Sequence, residues 1–392
     1  DAAGNNSAAL TSIVTLDSDP PAVALTSSLL TNNSAPTISG TAETDATVTA
    51  VIGGATYTVI AQSGVWSIDL ASAIADSGVL NLDLNGANVI AVTASDIAGN
   101  TSSTISSNLV IDAIAPIAPV APALLVSSNT GSTADLITYD TTPTVQVTLN
   151  AAAGAGAGHV AGDTVKVLVG GIVNQTQVVT SADITAGYVN VTMPSQADGT
   201  LAITAQLVDA IGNTSVASTT ANLVIDSISA TLNGLGLTAA TDSGTSATDS
   251  ITNVSGAALR VSLEVTATDG SASVIGDTIK TTQDGVSLAN HVIVAADILE
   301  GYVDIDVTLA SANHTFNALV TDAAGNNSAA LTSIVTLDSD PPAVALTSSL
   351  LTNNSAPTIS GTAETDATVT AVIGGATYTV IAQSGVWSID LA

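Results

Sequence analysis

Aspartate is the side chain through which this sequence can do chemistry. The string Asp-x-(Ala/Ile)-Gly-Asn occurs at Asp1–Asn5, Asp96–Asn100, Asp209–Asn213 and Asp322–Asn326. An apolar, Ser/Thr-rich stretch follows each copy and ends in another aspartate, at Asp17, Asp112, Asp226 and Asp338. Gathered carboxylate and carboxamide oxygens suit a hard cation. Calcium takes about six to eight oxygens at ~2.3–2.6 Å and tolerates irregular geometry. Left unneutralised, such a cluster would repel itself.

The elements that position these residues read as strands. Thr47–Ile52, Thr56–Ile60, Val65–Leu70, Asn88–Ala94, Thr144–Leu149, Thr164–Val169 and Tyr302–Leu309 are rich in Val, Ile and Thr. Many alternate apolar with polar residues, and Gly, Asn, Asp and Ser punctuate them. No segment longer than ten residues carries a helical period, and Ala71–Ile74 is at most a short turn. About seven short strands per 100 residues point to a β-sandwich. Trp66 and Trp387, in G-V-W-S, are expected to face inward as core anchors.

In such a sandwich the loop between the last two strands lies at the end where the chain enters. The first domain then gathers Asp17 and Asp19 of the linker, Glu43 and Asp45 of an early loop, and Asp96 and Asn100. The second offers Asp112, Asp163 and Asp209. The third offers Asp226, Asp277 and Asp322, and a fourth offers Asp338, Asp340 and Glu364. Asp242 and Asp249 flank a turn that suits a second ion. Scattered acids such as Asp76, Asp183 and Asp198 read as turn formers.

Repeats set the organisation. Residues 1–71 recur without a change at 322–392, an offset of 321. Inside that block the aspartate strings are spaced by 95, 113 and 113 residues. The unit is therefore three different domains repeated together. The expected boundaries are 1–16 as the last strand of a preceding domain, then 17–112, 113–226 and 227–338. Residues 339–392 are the first half of a repeated first-type domain. Both ends read as pieces of domains, as in a window on a longer array. The expected fold class is all-β: tandem immunoglobulin-like β-sandwich domains arranged as an extended rod.

Composition excludes several functions. The chain of 392 residues has 33 acids against three bases, Lys166, Arg260 and Lys280, for a net charge of −30. No basic footprint exists to meet nucleic acid. Cysteine is absent, so disulfide scaffolds and thiolate zinc sites drop out. The hydrophobic fraction of 46% argues against disorder. The most apolar stretch, Ala113–Val126, is short and broken by Pro116, Pro119 and Pro122, so no membrane insertion is expected in this segment. Gly154–Gly158 lacks the Lys-Ser/Thr of a phosphate loop. His159, His291 and His314 are widely spaced and read as loop or surface residues rather than zinc ligands. No Ser/His/Asp set has a nucleophile elbow, so no enzyme is expected.

The combination of D-x-A-G-N-x-S, I-D followed by proline, D-S-G-x-S-x-x-D-x-I-T-N at Asp242–Asn253, A-P-T-I-S-G-T-A-E at Ala35–Glu43 and G-x-W-S resembles bacterial immunoglobulin-like repeats. These belong to giant biofilm-associated and RTX-type adhesins exported by type I secretion. The resemblance covers the whole chain. It departs from the pattern in the second domain, which has Asn129 where the third has Asp242, and a Gly/Ala loop at Ala151–Gly158. It implies an extender region that holds a distal adhesive domain away from a bacterial, Gram-negative cell surface, with Ca2+ stiffening the joints. The partners expected are neighbouring repeats of the same chain, with the adhesive target bound by another region. Alternatives are a ligand-binding module for glycan, protein or ice, and an accessory region of a secreted enzyme.

Overall fold

The computed structural model describes residues 1–132, 135–150 and 157–391. Its regular secondary structure is almost wholly strand. Chain contacts divide it into two compact units, Asp1–Ser227 and Ile228–Ala392.

The first unit holds two sandwiches. The first comprises β1 (Val23–Leu25), β2 (Leu30–Thr31), β3 (Thr37–Ala42), β4 (Thr47–Ile52), β5 (Ala55–Ile60), β6 (Val65–Asp69), β7 (Ala87–Ser95) and β8 (Ile105–Ile111). A three-stranded sheet, β1-β3-β6, faces a five-stranded sheet, β2-β8-β7-β4-β5. The second sandwich comprises β9 (Ala123–Leu124), β10 (Ile137–Thr138), β11 (Thr144–Thr148), β12 (Thr164–Val169), β13 (Ile172–Val178), β14 (Tyr188–Thr192), β15 (Gly199–Val208) and β16 (Ala221–Ile225). Its sheets run β14-β11-β9 and β10-β16-β15-β12-β13.

The second unit repeats the plan. Its complete sandwich has β17 (Leu232–Leu237), β18 (Ile251–Thr252), β19 (Gly256–Leu263), β20 (Thr278–Gln283), β21 (Val286–Ser287), β22 (His291–Val292), β23 (Tyr302–Thr308), β24 (Asn313–Thr321) and β25 (Leu331–Leu337). The sheets are β17-β19-β23 and β18-β25-β24-β20-β21, with β22 also paired to β20. In all three sandwiches the pairing is antiparallel except where a two-residue strand runs parallel to the last strand: β2 to β8, β10 to β16 and β18 to β25.

Alternation builds the cores. In Thr37–Ala42 and Thr47–Ile52 every second residue is buried. Ile38, Val48, Ala50, Ile52, Ile90, Val92, Leu109 and Ile111 pack into one cluster. Trp66 is 3% exposed and its copy Trp387 4%, as expected of inward anchors. The indole Nε1 of Trp66 donates to the Thr41 carbonyl. Gly40 lies directly beneath the ring. A Cβ there would overlap the Ala24 carbonyl and approach the indole to 2.8 Å.

Two six-residue helices were not evident from periodicity: α1 (Ser181–Ala186) and α2 (Ala295–Glu300). Each ends at a glycine with positive φ, Gly187 and Gly301. Thr180 and Asp183 cap α1 reciprocally, the satisfied-donor arrangement that starts a helix. Asp183 is therefore structural.

The duplicated ends supply an internal control. The seven residues of β25 also stand at 10–16, where they form no strand. Val335 is fully buried, whereas its copy Val14 is 91% exposed. The strand expected within 1–16 is absent because no counterpart of β24 lies beside it. A strand's hydrogen bonds and apolar face need a neighbour, and propensity does not replace one. At the other end, β26 (Val344–Leu346), β27 (Thr358–Ala363), β28 (Thr368–Ile373), β29 (Ala376–Ile381) and β30 (Val386–Asp390) reproduce the registers of β1, β3, β4, β5 and β6. Their core shrinks to a small cluster around Val369, Ala382, Trp387 and Ile389.

Replacing Gly40 with Ala overpacks the site and is expected to destabilise the first sandwich by about 1–3 kcal/mol. Urea unfolding followed by Trp66 fluorescence, in a Trp387→Phe background, measures the shift.

Candidate functional site

The Asp-x-x-Gly-Asn string is a self-contained turn. In Asp209–Asn213 the Asp209 Oδ1 accepts the backbone N–H groups of Ile211 (2.9 Å), Gly212 (2.7 Å) and Asn213 (2.9 Å). Its Oδ2 accepts Asn213 Nδ2 at 2.7 Å. Asp96 repeats this with Asn100, and Asp322 with Asn326. The side-chain bond from Asn100 is the main cause that holds the Asp96 carboxyl below its usual range. The turn needs a left-handed residue before the asparagine. Gly99, Gly212 and Gly325 supply it, with φ of 93°, 104° and 92°. Asp1–Asn5 makes the same turn outside any sheet.

The turn has a second use. Asn213 Nδ2 also donates to the backbone carbonyl of Asp112 at 2.8 Å. Asn100 Nδ2 donates likewise to Asp17 at 3.2 Å. The amide thus clips the incoming linker to the far loop of the sandwich that it enters. Asn100 was expected to offer an oxygen. In the structure its nitrogen, the donor, faces the Asp96 carboxylate, as an amide beside a carboxylate does.

Serine completes the motif. Ser102 Oγ accepts the Ala94 N–H and donates to the Ser103 carbonyl. Ser215 and Ser328 act identically on Leu207 and Val320. The hydroxyl stands in for a ladder partner where the chain leaves the sheet. The S of D-x-A-G-N-x-S was the only sequence signal for it.

The strand registers show which early-loop residue faces each turn. Thr47 pairs with Ser95, Thr164 with Val208, and Thr278 with Thr321. The residues one step outward are Asp163 opposite Asp209, Asp277 opposite Asp322, and Ala46 opposite Asp96. Asp163 and Asp277 are each 1% exposed. Each gives its Oδ2 to a backbone N–H of its own loop, that of Val160 or Val274, at 2.8 Å. The Oδ1 of Asp163 is buried without a hydrogen-bond partner among the described residues. Burial pushes the Asp163 carboxyl up, and the charge of Asp209 adds to this.

Glu43 does not fill this place in the first sandwich. It sits three residues before Ala46 in an exposed turn, where its carbonyl accepts the Ala46 N–H. Asp45 is exposed in the same turn, with φ of 67°. Glu364 is exposed in the copy of that turn. Asp19 and Asp340 donate their N–H groups to the carboxylates of Asp17 and Asp338. Asp112 and Asp226 donate theirs to Thr31 and Thr138, which ties the end of each sandwich to its own parallel two-residue strand. Among the described residues no three His, Cys, Asp or Glu side chains come close enough to hold a metal ion.

Asp242 is 5% exposed, and its Oδ1 is buried without a partner, while Oδ2 accepts the Ser250 N–H at 3.2 Å. Asp249, exposed, accepts the Ile251 N–H instead. Asn129, at the matching place in the second sandwich, likewise has an Oδ1 with no partner among the described residues. Of the Gly/Ala loop Ala151–Gly158, residues 151–156 lie outside the described residues.

Of the histidines, His291 is half-exposed, His159 lies in a loop but is 1% exposed, and His314, in β24, is 8% exposed, which departs from the loop or surface reading. His314 Nδ1 lies 2.7 Å from Asp284 Oδ2, and Nε2 lies 2.9 Å from the Ala310 carbonyl. The bond to Asp284 raises the His314 pKa above its usual value and lowers that of Asp284. Arg260 meets Asp304 through two bonds and stacks on Tyr302. A groove beside Trp66, lined by Thr26, Ser39, Ile60 and Gln62, recurs beside Trp387. The indoles are buried, so neither groove offers an aromatic stacking platform.

No helix of the described residues is long and apolar enough to cross a membrane. No family model matches the chain, and no curated protein does. Among solved structures, it is similar to the fibronectin(III)-like modules of Clostridium thermocellum CbhA: 13% identity, 55% of this chain and 94% of that one, TM-score 0.34. It is also similar to the FN1–FN3 domains of chicken CNTN1: 12% identity, 81% and 98%, TM-score 0.29.

Two outcomes are expected. Asn213→Ala removes the clip and leaves the Asp112 carbonyl without this donor, at a cost of about 1 kcal/mol. Hydrogen exchange should quicken at Ile114 to Ile117 more than within β16. His314 gives a pH dependence. Its raised pKa adds stability below the unfolded value of ~6.5 that disappears as pH rises through the folded value. Asp284, lowered, adds stability above its unfolded value of ~3.9 that disappears as pH falls through the folded value. The pair contributes most between these limits, so His314→Gln should lower the urea midpoint of residues 228–337 more at pH 5.5 than at pH 8.5.

Proposed function

We propose that this chain is part of the structural spacer of a bacterial cell-surface adhesin, with calcium stiffening the entrances of its sandwiches. The observation that carries the reading is the linker clip: the Asp209–Asn213 turn holds the Asp112 carbonyl of the incoming chain. A binding or catalytic module has no need to repeat such a joint, whereas a spacer depends on every one. The string recurs with each sandwich, and linkers such as Ile111–Pro119 are short and restricted by proline. Two of the sandwich types show this joint, at Asn100 and at Asn213. Domains that meet only their sequence neighbours behave as a one-dimensional array.

The calcium part of the reading rests on Asp163. A buried carboxylate oxygen without a hydrogen-bond partner, beside a second carboxylate, needs a proton or a cation. Asp163 and Asp209, with backbone oxygens of the linker after Asp112, are the donors we assign in the second sandwich. Asp277 and Asp322 are assigned in the third. In the first, Ala46 removes the buried ligand, leaving Asp96 with Asp17, Asp19 and the more distant Glu43. Asp338, Asp340 and Glu364 are the matching groups of the fourth. Asp242 is the candidate for a separate ion, with Asp249 beyond the same turn. A bound ion would neutralise the carboxylates and tie loop to linker. The setting proposed is extracellular, on a cell that builds biofilm.

Extracellular calcium modules bind with dissociation constants of ~10⁻⁴–10⁻³ M. At ~100-fold excess, one site adds ~2.7 kcal/mol. Melting curves in chelator and in millimolar calcium, with magnesium as control, should separate by several degrees. Asp163→Asn should remove most of the gain in the second sandwich and none in the first. Coinciding curves for the parent chain would end the calcium reading while leaving the spacer reading to stand on the clip.

A further inference from the structure

The chain leaves the first sandwich beside a turn, Asp83 to Asn88, that is knit by its own polar groups. Asn88 is 6% exposed; its Oδ1 accepts the Asp83 N–H at 2.7 Å, and its Nδ2 donates to the Asp83 carbonyl at 2.8 Å. The Asp83 carboxylate accepts the Asn85 N–H at 3.0 Å. Asn85 is exposed, and its Oδ1 accepts the backbone N–H of Ala113, the residue after Asp112, at 3.2 Å. Ala113 shares that N–H with the Leu84 carbonyl at 3.1 Å. Gly86 follows, and its carbonyl accepts the Ile111 N–H. The Gly86 N–H has no acceptor among the described residues. A Cβ at residue 86 would fall 2.4 Å from Asp83 Oδ2, so the turn is built around glycine.

This arrangement suits an attack of the chain on itself. The Asn85 amide carbon, Cγ, is an electrophile, and the Ala113 N–H on Oδ1 stabilises the negative charge that gathers there when a nucleophile adds. The nucleophile is the nitrogen of the next residue, which glycine, lacking a Cβ, leaves unhindered. The Gly86 nitrogen bonds to Cγ, the Cγ–Nδ2 bond breaks, and Nδ2 leaves as ammonia with the proton that Gly86 gives up. The product is a succinimide ring. Water then opens it. Cleavage at Cγ gives aspartate; cleavage at the main-chain carbonyl gives isoaspartate, in which the backbone runs through Cγ.

Strand pairing says which product the joint tolerates. Gly86 bonds Ile111 as Gly199 pairs with Ile225, and Ala312 holds the same place against Leu337. Asn85 therefore corresponds to Asp198 and Ser311. Asp198 Oδ1 accepts the N–H of Ser227, the residue after Asp226, at 3.1 Å. The aspartate product is thus already the fastening of the second sandwich. Isoaspartate lengthens the backbone by a methylene and carries the free carboxylate away from Ala113.

We propose that Asn85 is a self-modification site: Gly86 converts it through a succinimide to aspartate and isoaspartate, and the isoaspartate loosens the linker at Ala113. The chain's other Asn-Gly pair, Asn233–Gly234, is the internal control. It lies in β17, paired to β19, and Asn233 Nδ2 donates to the Leu263 carbonyl at 3.3 Å and to Glu264 Oε2 at 3.0 Å. The ladder holds that backbone extended, so ring closure there waits on local opening.

The test ages the full chain near neutral pH, digests it with pepsin, and follows the peptides of Asn85 and Asn233 by mass spectrometry. Asn85 should exchange its amide for an acid about tenfold faster than Asn233, the effect of a ladder that must open first. Backbone fragmentation should find isoaspartate at residue 85, which direct hydrolysis of the amide cannot give. Hydrogen exchange at Ala113 should quicken in step with the isoaspartate fraction, while a fresh Asn85→Asp chain keeps the parent's protection. Asn85→Gln, whose side chain must close a larger ring, should not age at this position. Should that variant disturb the turn, the ratio of Asn85 to Asn233 in the parent chain decides. An unchanged Asn85, conversion no faster than at Asn233, aspartate without isoaspartate, or isoaspartate without any change at Ala113 overturns the proposal.

Discussion

Everything at the sandwich entrances depends on one carboxylate satisfying its own loop. Asp209 accepts three backbone N–H groups and one amide hydrogen from residues no more than four positions away. That fixes the asparagine amide in place. Its nitrogen can then reach the linker carbonyl without the ordering cost a free side chain would bear. The turn forms at Asp1–Asn5 with no sandwich around it, so its geometry is local. What the sandwich adds is position: β15 and β16 carry the turn to the end where the linker enters.

The same economy explains why acidic residues dominate a chain with so few bases. Aspartates throughout the chain accept backbone N–H groups: Asp17 from Asp19, Asp163 from Val160, Asp183 at the start of α1, Asp249 from Ile251. Short acidic side chains close turns. A protein made of short strands needs many turns, and the net charge of −30 is partly their by-product. The few groups that depart from this rule stand out. Asp163 and Asp242 each bury an oxygen that no described residue satisfies.

Most of the fold was legible because strand alternation is a two-residue signal that survives in short segments. Thr47–Ile52 and Thr164–Val169 match their strands residue for residue. Trp66 was legible because a large ring after a glycine has few other places to go. The helices were not, since six residues give less than two turns of period; Thr180, Asp183 and Gly187 were nevertheless the marks of a capped start and a glycine stop. The site was legible in its motif and not in its geometry. Glu43 carries the right chemistry three residues away from the position that faces the turn, and only strand register shows that Ala46 holds it. Asn100 was taken for an oxygen donor because composition cannot say which end of an amide points inward. His159 had no pattern at all: its ring meets the carbonyl of Ile117, 42 residues earlier.

The seven residues that are a strand at Leu331–Leu337 and none at 10–16 bear on how a repetitive chain avoids exchanging parts. Any copy of that segment fits the gap left in any other copy of the same sandwich, so identical neighbours would invite swaps during folding. Here the interchangeable segments stand 321 residues apart, with two unlike sandwiches between them. Closing a loop about three times longer than one domain costs only about 1 kcal/mol more by chain entropy. The larger protection is temporal. A chain that emerges progressively completes two foreign sandwiches before a rival segment exists, and by then the vacancy it would fill has closed.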